Sequence, residues 1–386
     1  LQQDSEILQN VDQETFEIPH QILEEFSPVV GMFPQIQNRT EIDLLNKIIN
    51  FPAINNKECD GWYIDIHNEE LNRTRDSDRF VEDGSKADYP VYGGGNFWQF
   101  EYDNQFTSDL SSPSLWSVDE DKDPNKSAKR RIREKDIRRL KTRIYHSLDG
   151  SGTQKSFVNS KLEENGRNDL SLDDVLLDCE RYRLTFRDIA RATDERSLIT
   201  TVLPPGIVCH NKAPVIRPHS IEPSKEDLEN TPLHSVYERI FTDRELFVAL
   251  GLLNSIPFDY LVRTKLDTSM SVYVLEESQM PRLTDGDNWF NYISERAAQL
   301  NCYGESFAEM RDRLGGIEPA TDKSERRELR AEIDAAALHA YGLTRRDTEF
   351  ILNDFNRVSN PRIMDEEYFD MVLEKYDLLK RNGPEP

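Results

Sequence analysis

The chain has 386 residues, 37% of them hydrophobic, a mean hydropathy of -0.70 and a formal net charge of -24. That length can bury a sizeable core, while no apolar run approaches a membrane span and no basic-then-apolar leader opens the chain. Composition therefore excludes a transmembrane protein and points to a soluble, cytoplasmic one.

Asp and Glu number 72 against 48 Lys and Arg, and arginine outnumbers lysine. Such a surface suits concentrated salt, where repulsion is screened, as in a halophilic protein. An ordinary acidic protein that avoids nucleic acid is the alternative. Net charge governs solubility and partners rather than fold, so a local basic face stays compatible with it. The first residue is Leu1, not Met, which suggests a piece of a longer product. Cys59, Cys179, Cys209 and Cys302 are far apart and form no CxxC pair. They predict reduced, buried thiols and argue against zinc, with Cys209-His210 a weak candidate pair.

Residues 1–35 are polar and punctuated by Pro28 and Pro34, and are expected to be an extended lead-in. Thr40 is a candidate N-cap with Asp43 at N3, followed by a helical face of Ile42, Leu45, Ile48 and Ile49 that ends near Pro52. Trp62 to Ile66 alternates like a strand. Gly93-Gly94-Gly95 then precedes a second strand-like run, Phe97 to Tyr102. A phosphate-binding glycine loop needs a strand before it and a helix after it, so a β-turn or bulge is the better account. Lys126 to Arg143 holds ten Lys and Arg residues. Ile132, Ile137, Leu140 and Ile144 give it an incomplete helical stripe, so it is either a solvated helix or a phosphate-tracking arm. Residues 146–170 are Gly/Ser/Asn-rich loop.

Residues 183–209 form the most distinctive unit. Tyr182, Leu184 and Phe186 alternate, and Leu198 to Leu203 is an apolar run rich in β-branched residues. Ala192-Thr193-Asp194-Glu195 between them is turn chemistry, and Pro204-Pro205-Gly206 stops the second strand. Arg183, Arg187, Arg191 and Arg196 crowd this hairpin. They suit either a reader of phosphates and base edges or an internal network with Asp188, Asp194 and Glu195. A proline-rich loop covers 211–232. Thr242 and Asp243 start a helix with the apolar run Leu246, Phe247, Leu250, Leu252 and Leu253. Ser271 to Leu275 reads as a strand. The remainder reads as helices: Glu325 to Ala340 closed by Gly342, one capped by Thr344 with Asp347, and one over Asp365 to Leu379.

No GxSxG elbow, Walker loop, HExxH or glycine-rich S-adenosylmethionine loop occurs. Glu120-Asp121-Lys122 resembles a nuclease ExK triplet but sits in a low-complexity acidic loop. Asn360-Pro361-Arg362-Ile363 lacks the aromatic end of an Asn-Pro-Pro-Tyr loop. The residues assemble no catalytic constellation.

The stretch Phe186 to Gly206 resembles a segment of large adenine-N6 DNA methyltransferases, the TaqI-like enzymes and the fused restriction-modification and phage-defence methylases. There it lies in the C-terminal target-recognition region. Three companions follow the family's order: Tyr89 to Glu101, Leu252 to Lys265, and Leu329 to Leu343 with Phe350-Ile351-Leu352. The family's Glu-Gly-Lys stands here as Gly93-Gly94-Gly95, which loses a lysine contact, and the basic tract looks like an insertion. The resemblance implies the specificity half of such an enzyme. The implied fold is α+β: a mixed, largely antiparallel, strand-rich target-recognition domain over 36–285, with flanking helices and a C-terminal helical subdomain over 286–386. It implies double-stranded DNA as partner, and a catalytic half in the same polypeptide or a separate subunit. It implies no cofactor in this chain, with S-adenosylmethionine bound by that catalytic half. Such an enzyme takes its target base out of the duplex, and a second lobe holds the DNA and reads it.

The implied DNA contacts are Arg187, Arg191, Arg196, Asn211, Lys212, Lys129, Arg130, Arg131, Arg133, Arg138 and Arg139. Within the arginine unit a split is expected. Arg187 and Arg196 would pair with Asp188, Asp194 or Glu195, leaving Arg191 to face DNA. A non-catalytic scaffold subunit of a defence complex is the rival from another class.

Overall fold

The computed structural model describes residues 17–34, 36, 38–81, 88–106, 130–137, 177–192, 194–221, 237–266, 270–356, 358, 361 and 363–384. The architecture is α+β, with short, mostly antiparallel strands and a helical C-terminal part.

Residues 20–26 are not extended. They form α1 (His20–Phe26), whose Ile22 and Phe26, four apart, share one face and are buried. Helix α2 (Arg39–Ile48) is capped by Asn38, not Thr40: the Asn38 side chain accepts from the Glu41 N–H at 3.1 Å. Asparagine ranks above threonine at this position because its carbonyl reaches the first-turn N–H groups readily. Of the predicted strand Trp62–Ile66, only Ile66 enters a ladder, as β1 (Ile66–His67). Trp62 and Ile64 are core residues instead.

Strand β2 (Tyr89–Tyr92) pairs antiparallel with β3 (Arg130–Ile132). The run Phe97–Tyr102 is a tight reversal rather than a strand. Trp98 and Glu101 exchange backbone hydrogen bonds at 2.8 and 3.1 Å, and Phe100 turns the corner at φ 62. Residues 130–132 of the basic tract form the strand β3, not a helix. Residues 134–137 begin a helical turn, and the rest of the tract lies outside the described residues.

The predicted hairpin is present. Strand β4 (Arg183–Phe186) pairs antiparallel with β5 (Thr200–Leu203), from Arg183 opposite Leu203 to Phe186 opposite Thr200. Strand β6 (Val208–Cys209) joins β2 in parallel. Within the loop expected over 211–232, β7 (Val215–Ile216) pairs with β1 and β4, giving the sheet order β1-β7-β4-β5. Strands β8 (His219–Ile221) and β9 (Tyr237–Arg239) make a separate antiparallel pair. All four residues of β4 and of β5 are buried. Leu184, Phe186 and Val202 face the main core, whereas Leu203 and Val215 face a smaller cluster with Phe97, Trp98, Ile199 and Ile207. Burial on both faces replaces the alternation expected of a half-exposed sheet.

Helix α3 (Asp243–Leu253) begins with a reciprocal Thr242–Glu245 capping box. Helix α4 (Ile256–Lys265) follows, and the two are bent by 59°. Both are core helices, and among the described residues no single helix is long and apolar enough to cross a membrane. The predicted strand Ser271–Leu275 is the short helix α5 (Val272–Glu276). Its β-branched residues are overridden by packing: Val274 and Leu275 enter the core while Tyr273 faces outward.

The rest is helical, as expected: α6 (Phe290–Asn301), α7 (Ala308–Arg313), α8 (Lys323–Ala340), α9 (Arg345–Phe355) and α10 (Glu366–Asn382). Gly342, at φ 66, closes α8: its N–H bonds to the His339 carbonyl, and that of Leu343 to the Leu338 carbonyl. Thr344 and Asp347 form the expected capping box. A single apolar cluster runs from Ile22 in α1 through β4, β5 and α3 to Leu379 in α10.

Candidate nucleic-acid interface

The four arginines of the hairpin have four different fates. Arg183 is fully buried and donates to Glu70 Oε2 at 2.8 Å, to the Ile207 carbonyl at 2.9 Å and to the Asp178 carbonyl at 3.2 Å. Burial opposes its charge, but Glu70 more than offsets that and keeps the guanidinium protonated. Arg187 is also buried. It stacks over Trp98, 4.7 Å from the ring centre, and donates to the Phe97 carbonyl. Arg196 reaches across to the C-terminal helices, donating to Asp334 Oδ2 at 2.8 Å and lying 4.0 Å from Asp259. Arg191 alone of the four is exposed.

Arg187 and Arg196 are therefore buried rather than surface cations, and the carboxylates beside Arg196 are Asp334 and Asp259 instead of its sequence neighbours. Asp188 pairs with Lys212 at 2.6 Å. Asp194 accepts from the Arg191 N–H at 3.0 Å. Glu195 accepts from the Ile363 and Met364 N–H groups, each at 2.6 Å. Asp194 also feels the charges of Arg191, Arg263 and Arg187. Arg183 and Arg196 find carboxylate partners 113 and 138 residues away in sequence.

Of the remaining implied contacts, Asn211, Lys212 and Arg130 lie near His210. Asn211 is half-buried and works as a brace, its Oδ1 accepting from the Arg73 N–H at 3.3 Å and its N–H bonding to the Leu71 carbonyl at 2.8 Å. Lys212 is exposed. Its N–H donates to His210 Nδ1 at 3.1 Å. Arg130 is half-buried on β3. Arg131 holds the sheet edge through a two-way backbone bridge to Val81 and donates to the Asp88 carbonyl at 3.0 Å. Arg133 is exposed and pairs with Asp136 at 2.7 Å. Lys129, Arg138 and Arg139 lie outside the described residues.

His210 registers the local charge. Its pKa is lowered to about 4, first by burial and then by the nearby cations Arg73 and Arg130, with a smaller push from Lys212. Sequence reasoning missed Arg73. It sits in a turn where the Asn72 side chain accepts from the Thr74 and Arg75 N–H groups at 3.0 and 2.8 Å. The Asn72-Arg73-Thr74-Arg75 run, an asparagine opening a turn that carries two cations, was the available signal.

The glycine turn fits against this cluster. A Cβ at Gly93 would lie 2.4 Å from His210 Nε2, and one at Gly94 would lie 2.9 Å from the Lys212 carbonyl. The glycines are needed so that β2 can approach the His210–Lys212 loop, which accounts for the missing side chains without a cofactor loop.

Cys209 is buried with its Sγ 4.0 Å from Thr185 Oγ1, and burial pushes its thiol up to about 12. Among the described residues no group of three or more His, Cys, Asp or Glu side chains could hold a metal ion. No cysteine is in a disulfide, and three of the four are buried, Cys59 being partly exposed.

Compared with known proteins, the chain matches no family model and no curated sequence.

Proposed function

We propose that this chain is the DNA-recognition half of an adenine-N6 DNA methyltransferase of a restriction-modification or phage-defence system. Double-stranded DNA is its partner, and S-adenosylmethionine belongs to a catalytic half in the same polypeptide or a separate subunit. The observation that supports this best is the convergence of Arg73, Arg130 and Lys212 around His210 in a chain of net charge -24. Such a local cationic face is what phosphate contact requires, and the acidic remainder keeps the protein from coating DNA indiscriminately. Arg191, exposed on the loop that also pairs Asp188 with Lys212, supplies a fork for base edges or phosphates.

The test is duplex-DNA affinity across a salt series. Arg73→Ala, Arg130→Ala and Lys212→Ala should each weaken binding at all sequences and reduce the salt slope by about 1. No binding to duplex DNA at any salt would sink the reading. A scaffold subunit is the second reading, favoured by the exposed apolar side chains Val29, Val30 and Phe33.

A further inference from the structure

Among the described residues between β4 and β5, most are fastened to the rest of the fold. The Arg187 N–H bonds to the Ile199 carbonyl at 3.1 Å, and the Asp188 carbonyl accepts from the Met270 N–H at 3.0 Å. Ala190 is buried. The Arg191 carbonyl accepts from Ser197 Oγ at 3.1 Å, and the Ala192 carbonyl from Arg263 Nη1 at 3.0 Å. Ile189 is the exception, with 64% of its surface exposed. A lone exposed aliphatic group is ordinary on a protein surface. This one is unusual in its setting: it stands on a loop hydrogen-bonded at Arg187, Asp188, Arg191 and Ala192, one residue from the Asp188–Lys212 pair and two from the exposed Arg191.

From this setting we infer that Ile189 is an apolar wedge that enters the base stack of bound duplex DNA, with Lys212 and Arg191 holding the phosphates on either side. The inference rests on the DNA-recognition reading above. An enzyme that takes a base out of the helix leaves a gap, and an aliphatic side chain between cations is suited to fill it. The fastening matters, because a wedge on a loose loop would lose ordering entropy at the moment of insertion.

The test uses the full chain, its Ile189→Ala and Ile189→Leu variants, and two duplexes that differ by one central mismatch. A mismatch lowers the cost of unstacking, so the unaltered chain should bind the mismatched duplex about 10-fold tighter. Ile189→Ala should bind both alike with an unchanged salt slope, and Ile189→Leu should restore the preference. Full preference retained by Ile189→Ala, or no preference in the unaltered chain, overturns the wedge while leaving DNA recognition standing. Absence of any DNA binding by the unaltered chain removes the recognition reading and the wedge together. Because Ile189 is mostly exposed, an unchanged thermal melt is expected for both variants.

Discussion

Arg191 and Arg196 lie five residues apart, the first exposed and the second buried. Asp334 accepts from Arg196 at 2.8 Å, from the Tyr368 hydroxyl at 2.6 Å and from the Ile256 N–H at 2.8 Å. Removing the arginine strands a buried carboxylate, which costs ~3–5 kcal/mol. Arg196→Ala should therefore lower the urea midpoint sharply, whereas Arg191→Ala should stay within ~0.5 kcal/mol of the unaltered chain. Equal effects in urea melts would contradict this division of roles. His210 adds a pH dependence. An unfolded histidine titrates near 6.5, and the folded ring near 4. Between those values the unfolded chain holds more protons, so acidification favours unfolding. The contribution from the neutral ring is complete above about 6.5 and is lost as pH falls toward 4. His210→Gln should flatten the stability profile across that window. A profile unchanged by the substitution would assign the acid sensitivity to other groups.

The elements divide by how much of their information is local. Gly251 in α3 faces α6, where an added Cβ would lie 2.5 Å from Ile293 Cγ2. Alanine gains about 1 kcal/mol of helix propensity there, but Ile293 is buried and stiff at its first torsion, so overpacking of ~1–3 kcal/mol should win. Gly251→Ala should destabilise, and adding Ile293→Ala should recover part of the loss in a double-mutant cycle. Additive destabilisation would mean the helices do not meet at this point. Helices with strong caps were legible from sequence because capping is local: Thr242, Thr344 and Gly342 each act where their residue type predicts. The pairing of β4 with β5 was legible from its alternating and apolar runs. Helix α5 and the reversal at Phe100 were not, since Val272 to Leu275 and Phe97 to Tyr102 have strand-like composition that distant packing overrides.

Across the whole molecule, the candidate site is a product of topology. Arg73, Arg130 and Lys212 are far apart in sequence and come near His210 because β6 lies beside β2, which carries β3, and because Leu71 bridges to His210. Composition reported only the net charge of -24, which says nothing of where these three cations lie. The arginine partners were hidden for the same reason: Glu70 and Asp334 reach Arg183 and Arg196 only after the chain has folded. One consequence of the fastened loop concerns variation over generations. Its fixings include backbone groups, the Ser197 and Arg263 side chains and the buried side chains of Arg187, Ala190 and Arg196, while the side chains at 189 and 191 are exposed. Side chains at those two positions can be exchanged at little folding cost. Descendants of this chain are free to alter what the loop touches without rebuilding what holds it.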